Sequence, residues 1–187
     1  MPKYTVFESI NMGSSHYAER IFDCVADVDI ENGTFGYMDG LADGFSHVYK
    51  FAKGTKKGEK VVVADQPAWS EDTCRITNQR RDKFIIPAGT VFRVRVVKVN
   101  DEFGITIEGV SSDTQSVVAN QTDFTANNVF FTIGDDGKLV ASESSSDNAI
   151  MEARVMRKRI MGGTLVTVAH NYGYANAMYE ARIKVLA

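Results

Sequence analysis

The feature that most constrains the fold of this chain is a succession of short runs rich in β-branched and aromatic residues, nearly all separated by turn-forming residues. Such runs are typical of β-strands, which pack their side chains on a pleated surface. In the clearest run, residues 90–99, apolar residues alternate with Arg93 and Arg95, as in a strand with one buried and one solvated face. The sequence therefore predicts a mainly β fold with little helix, a barrel or sandwich of about nine to twelve short antiparallel strands.

The runs also predict the positions of these strands. Val96 and Val97 are adjacent apolar residues that shift the alternation, which indicates either a bulge or a strand that crosses between layers. The predicted strands are residues 4–7, 21–25, 47–51, 61–64, 84–86, 91–99, 105–110, 129–133, 138–141, 151–155, 165–169 and 179–185.

Two predicted hairpins and two short helical segments complete the local interpretation. One hairpin joins residues 91–99 to 104–110 through a turn at Asn100 and Asp101, and the other joins 129–133 to 138–141 through a Gly-Asp-Asp-Gly turn. We expect one or two helical turns within residues 111–119, and a short helix that runs from Ser70 or Asp72 toward Arg80.

A short pattern, Ile-x-x-Gly-Thr, occurs at residues 30–34, 86–90 and 160–164. It is typical of a tight turn in which glycine supplies a positive φ before a β-branched residue starts a strand. The favoured interpretation is repeated use of a good turn, and the alternative is an internal duplication of a barrel unit.

The sequence favours one domain over two. Residues 1–20 show little periodicity and are predicted to form an N-terminal arm, followed by a single β domain over residues 21–187. The short polar segment 142–147 is the candidate sub-boundary within that domain.

Charge and hydropathy exclude several classes of protein. The chain has 21 Lys and Arg against 24 Asp and Glu, a net charge of -3, which disfavours nucleic acid as a partner. It contains no run of the roughly 18 apolar residues that a membrane span needs, and its first residues lack the apolar core of a secretory signal. We therefore expect a protein made and retained in a cytoplasm, with Cys24 and Cys74 as free thiols.

No motif in the sequence predicts catalysis or a bound cofactor. The three histidines and two cysteines show no metal-binding spacing, and no Gly-x-Ser-x-Gly motif occurs. The acidic segments 39–44 and 135–136 are interpreted as solvated loops. We expect no enzyme, no cofactor and no metal, with a small hydrolase based on Cys74, or on Ser15 with His16, as a minor alternative.

Aromatic and basic segments suggest contacts with a partner. The lone tryptophan is either a plug of the core, which we favour, or an interface anchor. Tyr172, Tyr174 and Tyr179 belong either to an adaptable contact loop or to a plain hairpin connection. We predict that residues 75–83 form an exposed loop or short helix against an acidic surface, with a solvated loop as the alternative. The second basic run, 154–159, is interpreted as an ion-paired interface or a solvated face. The candidate interface residues are Trp69, Arg75, Arg80, Arg81, Tyr172 and Tyr174.

Three features together resemble small virion structural proteins of tailed bacteriophages, which are encoded beside the major capsid protein. They are the Ile-x-x-Gly-Thr strand openers, the Gly-Asp-Asp-Gly-Lys-Leu turn of residues 134–139, and the stretch 64–75 with Asn78 to Arg80 after it. The chain is longer than many head decoration proteins, which leaves room for arms or a second lobe.

The resemblance implies a head decoration or cement protein, non-enzymatic and without cofactor, that binds and stabilises the shell of the major capsid protein. Its location would be the virion capsid, after synthesis in the host cytoplasm, as a homo-oligomer or a symmetric array on the shell. The alternative is a head-fibre or tail protein that binds a receptor or glycan.

Overall fold

The computed structural model describes residues 4–13, 20–67, 82, 84–121, 123–124, 129–146, 148–160 and 177–187. Within these residues the chain forms eleven β-strands and one short α-helix, which confirms the predicted mainly β fold. Five strands close into a barrel, and the other six form an antiparallel sheet.

The barrel has the strand order β2-β4-β3-β5-β6 and closes between β6 and β2. The β2–β4 pair is parallel, and the other four pairs are antiparallel. Its interior is filled by apolar side chains that include Cys24, Phe51 and Phe92, as expected for a barrel this small. The barrel strands are β2 (Ile21–Val25), β3 (Phe35–Leu41), β4 (Val48–Lys53), β5 (Val61–Ala64) and β6 (Val91–Val96).

The six-stranded sheet has the order β1-β7-β11-β10-β8-β9. The helix α1 (Gln115–Ala119) and two 3-10 turns, Ile107–Gly109 and Ser112–Thr114, lie between β7 and β8 in the chain. Helical turns were expected here, although no side-chain hydrogen bond caps α1. The sheet strands are β1 (Phe7–Asn11), β7 (Glu102–Thr106), β8 (Phe130–Ile133), β9 (Leu139–Ser142), β10 (Met151–Ile160) and β11 (Ala177–Leu186).

An aromatic cluster joins the sheet to the barrel. Phe103 of β7 stacks on Phe7 of β1 with 5.8 Å between ring centroids, and it meets Phe35 of β3 edge-on at 5.5 Å. All three side chains are at most 2% exposed and belong to a core to which both the barrel and the sheet contribute, here called the shared core. The packing of barrel against sheet therefore rests on large apolar surfaces, the dominant favourable term in folding.

The described part of the predicted N-terminal arm is built into the sheet. Residues 7–11 form the edge strand β1, in which Phe7 faces Ile105 of β7. Thr5, which lies just before β1, donates to the Glu31 carboxylate from its backbone N–H at 2.9 Å and from its hydroxyl at 2.7 Å. Within the predicted arm, residues 7–11 form a strand, and burial of Phe7 in the shared core holds this segment on the sheet.

The described part of the candidate sub-boundary, residues 142–146, is fixed to the sheet as well. The buried Glu152 carboxylate accepts hydrogen bonds from the Ser145 hydroxyl at 2.9 Å and from the backbone N–H of Ser146. Strands β9 and β10, on either side of the segment, belong to the same sheet. The division of the chain into an arm and one domain otherwise stays a prediction.

The predicted hairpin of residues 91–99 with 104–110 is wrong. Strand β6 pairs with β2 and β5 in the barrel, whereas β7 pairs with β1 and β11 in the sheet. Val96 packs in the barrel core and Val97 in the shared core, so the doubled valine marks a crossing between the two layers. Of the predicted strand 105–110, half is a 3-10 turn, Ile107–Gly109, and the segment 84–86 contributes only an isolated bridge.

The second predicted hairpin is confirmed. Strands β8 and β9 are antiparallel neighbours, with Phe131 opposite Ala141. Gly137 ends their turn with φ at 78°, the left-handed region that favours glycine. One strand, β3, was not predicted at all.

Two copies of the Ile-x-x-Gly-Thr pattern pair with each other. Ile30 and Ile86 form a bridge in which each backbone N–H donates to the other's carbonyl, at 2.9 and 2.8 Å. In each copy the threonine N–H donates to the carbonyl three residues earlier at 3.2 Å, and the glycines, Gly33 and Gly89, have φ of 81° and 73°. The predicted tight turns are thus present in both copies, while the third copy lies outside the described residues after Ile160.

Candidate interaction surface

All six candidate interface residues lie outside the described residues. Trp69 and the three arginines belong to the connection between β5 and β6, which also holds Cys74 and the expected helix toward Arg80. Tyr172 and Tyr174 belong to the connection between β10 and β11, which also holds His170 and the predicted strand 165–169. A contact-loop position for Tyr179 is corrected: it lies in β11 and packs in the shared core, 1% exposed. Ser15 and His16 are outside the described residues too. The residues concerned are Trp69, Arg75, Arg80, Arg81, Tyr172 and Tyr174.

The second basic run, residues 154–159, is described, and it forms part of a charged surface. Side chains of strand β11 point alternately to the two faces of the sheet. Tyr179, Ala181 and Ile183 pack in the shared core, whereas Glu180 and Arg182 lie on the opposite face. The same period of two operates on the neighbouring strands. We call this surface the charged face; it comprises Glu8, Glu102, Arg154, Arg157, Arg159, Glu180, Arg182 and Lys184.

Glu180 is the centre of an ion-pair network on the charged face. Arg157 and Arg159 each donate through Nε to its carboxylate, and a terminal guanidinium nitrogen of Arg159 also donates to Glu8. Burial disfavours the charged form of Glu180, but the two arginines outweigh it, so the pKa of that carboxyl lies below its ordinary value. The network connects β1, β10 and β11 and holds the two guanidinium groups in defined positions.

A second pair extends the network toward the other end of β11. Arg182 donates through Nε to the Glu102 carboxylate at 2.7 Å. In the strand register Glu102 faces Arg182, and Arg182 faces Arg154. The Arg182 side chain is 47% exposed and that of Arg157 is 67% exposed, so both remain accessible to a partner while paired within the chain.

The charged face carries an excess of positive charge in a chain of net charge -3. Its five cations exceed the carboxylates of Glu8, Glu102 and Glu180 by two, and by one when the buried Glu152, on the same side of β10, is counted as well. At the end where the excess lies, Arg154, Arg182 and Lys184 line a depression of about 320 Å³ together with Met156 and Phe124. Exposed guanidinium groups beside apolar side chains are typical of protein interfaces, and arginine matches carboxylates in bidentate geometry.

Cys24 and the acidic segment 39–44 are further groups whose surroundings the structure describes. Cys24 is a free thiol with no exposed surface, and burial raises its pKa to about 12, which suppresses the reactive thiolate. In the acidic segment 39–44, Asp39 pairs with Lys56 at 2.8 Å and Asp43 with Lys50 at 3.1 Å, all on exposed surface.

The described residues contain no group of three or more His, Cys, Asp or Glu side chains placed to hold a metal ion. Among the same residues, no helix has the length and apolar character needed to cross a membrane.

Sequence reasoning singled out the basic run of β10 but missed the carboxylates that pair with it. The signal in the sequence was the alternation of Glu180, Arg182 and Lys184 along β11, which indicates one polar face. Comparison of the chain with protein-family models, with curated proteins and with solved structures found no match.

Proposed function

We propose that this chain is a non-enzymatic structural protein of a bacteriophage virion, a decoration or cement protein that binds the major capsid protein and stabilises its shell. The observation that carries the proposal furthest is the charged face, a preordered surface with excess positive charge on a rigid sheet. Its contact on the shell would be an acidic surface of the capsid protein.

Preorganisation supports a binding role. Glu180 and Glu8 hold Arg159 in place, and Glu180 also orders Arg157. Side chains that are ordered before binding lose less conformational entropy on association, so more of the contact energy is retained as affinity. The excess cations would then steer the chain toward an acidic partner and determine the orientation in which it docks.

Even a moderate affinity for each capsid subunit would stabilise the assembled shell. A protein that binds the assembled shell and not free capsid subunits shifts the equilibrium toward the shell by mass action. If the chain binds as a symmetric array, each capsid subunit offers an equivalent site, and the contribution to shell stability is repeated around the particle.

The proposal is tested by charge reversal on purified phage heads. The variant Arg154→Glu with Lys184→Glu lowers the charge of the face by four, which makes its net charge negative, and leaves the Glu180 network intact. Lys57→Glu, on the exposed connection between β4 and β5, is the matched control. We expect the double variant to lose shell binding, the control to keep it, and the binding of the unmodified protein to weaken as salt is raised.

The same preparations of phage particles and heads test whether the chain is located in the virion capsid. Mass spectrometry of purified particles and of tailless heads should find the chain in both, and heads without it should disassemble at lower temperature. Absence from particles contradicts the proposal. Presence on tails alone would replace it with the receptor- or glycan-binding alternative.

A further inference from the structure

The hairpin of β3 and β4 projects from one end of the barrel and carries exposed apolar side chains. Beyond Tyr37, where pairing with β5 ends, β3 continues to Leu41 with β4 as its neighbour. Leu41 is 52% exposed and Phe45 is 45% exposed. A Cβ added at Gly40 or Gly44 would have no atom within 4 Å, so this tip stands in open space.

The tip is ordered by its own backbone before any partner arrives. The N–H of Ala42 donates to the Val48 carbonyl at 2.8 Å, and the N–H of Phe45 donates to the Ala42 carbonyl at 3.2 Å. Two large apolar side chains on a preformed projection indicate a contact site, because their exposure is unfavourable in water and little ordering entropy remains to be lost on binding.

An apolar recess lies at the same end of the barrel. It has a volume of about 600 Å³, within the range of built ligand sites, and Val99 on its wall is 46% exposed. Its apolar lining consists of Val61, Val96, Val97, Val99 and Leu186.

Strand register places tip and recess at one end. Val61 faces Tyr37 of β3, and the N–H of Val97 donates to the Val61 carbonyl at 3.0 Å. The recess therefore opens at the level of Tyr37, from which β3 runs on toward the tip. When a projection and a recess share one end of a molecule, a two-fold axis brings each projection to the other copy's recess, which gives a closed dimer.

Lysines beside the recess offer partners for a carboxylate of the tip. The tip carries Asp43, whose side chain is 97% exposed, while Lys60 and Lys98 line the recess together with Glu59 and the last residue, Ala187. The pair of Asp43 with Lys50 is solvated and worth little. Asp43 can therefore turn to the lysines of a second copy at little cost.

We propose that two copies of this chain form a two-fold dimer in which the tip of each, with Leu41 and Phe45, inserts into the apolar recess of the other. The dimer concerns contacts between copies and does not require that the chain bind a capsid shell.

Sedimentation equilibrium of three variants tests this dimer. Phe45→Ser removes the tip anchor, Val99→Asp puts a charge into the recess, and Val28→Ser changes an equally exposed apolar residue on the connection after β2. All three positions are exposed, so circular dichroism should show folded proteins. We expect the unmodified chain and Val28→Ser to dimerise, and the other two to raise the dimer dissociation constant by more than about tenfold.

Mixing the two weakened variants tests whether the tip of one copy contacts the recess of the other. A heterodimer of Phe45→Ser with Val99→Asp keeps one intact tip in one intact recess, so the equimolar mixture should associate more strongly than either variant alone. The proposal is overturned if the unmodified chain is monomeric at all concentrations, if only one of the two variants weakens the dimer, or if the mixture associates no better than its components.

Discussion

Replacing Gly137 with alanine should destabilise this protein several times more than the same change at Gly44. Both residues have left-handed backbone, with φ of 78° and 82°. At Gly137, an added Cβ would lie 2.5 Å from the Phe35 carbonyl oxygen and 2.7 Å from Cγ2 of Thr34, whereas at Gly44 it would meet no atom within 4 Å. The two positions therefore separate backbone strain from a steric clash at the contact of the β8–β9 turn with the barrel.

The expected loss in free energy of unfolding combines a backbone cost common to both positions with a steric cost found only at Gly137. The left-handed conformation costs alanine about 1–2 kcal/mol at both positions, of which about 0.4–1 kcal/mol is offset by the lower entropy of the unfolded chain. At Gly137 the overlap adds about 1–3 kcal/mol, and the hydrogen bond from the Phe35 N–H to the Gly137 carbonyl, 2.8 Å long, must shift as well. We expect a loss of about 2–4 kcal/mol for Gly137→Ala and about 1 kcal/mol or less for Gly44→Ala.

Urea unfolding followed by far-ultraviolet circular dichroism measures both losses, provided that the transitions are two-state and the m values agree. If the two variants lose equal stability within about 0.5 kcal/mol, the close approach of Gly137 to Phe35 does not hold the turn against the barrel, and the reasoning fails.

Three further outcomes are expected. The Cys24 thiol, buried and with a pKa of about 12, should resist alkylation in the native protein and react only on unfolding; modification of Cys24 without loss of structure, mapped by mass spectrometry, would contradict its burial. Because pairing lowers the pKa of Glu180, the stability that its charge contributes is present above the ordinary carboxyl pKa of 4.5 and is lost as pH falls through the lowered folded value. Glu180→Gln should therefore lower the free energy of unfolding at pH 7. The gap in free energy of unfolding between this variant and the unmodified protein should be smaller at pH 3, and an equal gap at both pH values would argue against the ion-pair network. Phe103→Ala should lower the free energy of unfolding by about 3–5 kcal/mol, against at most about 0.5 kcal/mol for exposed Val28→Ala; a loss below about 1 kcal/mol for Phe103→Ala would show that the aromatic cluster does not join sheet to barrel.

Local pattern was enough to predict most strands and one complete hairpin. The alternation around Arg93 and Arg95 is a property of a single strand, and the turn that ends at Gly137 needs only neighbouring residues to form. Strand β3 escaped prediction because its two glycines lower strand propensity. Gly36 is nevertheless required there, since a Cβ would overlap the ring of Phe51 on the adjacent strand, and no local pattern reveals that neighbour.

Only the tertiary structure decided which strands pair and which charges meet. A strand's alternation states which face is buried but not which strand lies beside it, so β6 and β7 read as a hairpin although they belong to different sheets. The charged face shows the same limit, because Arg159 meets Glu8, 151 residues away in sequence. The sequence by itself determined a β fold with glycine-marked turns and a basic run on a polar strand face. Folding determined that this run is partly neutralised within the chain, because side chains that are distant in sequence become neighbours only when their strands are placed side by side.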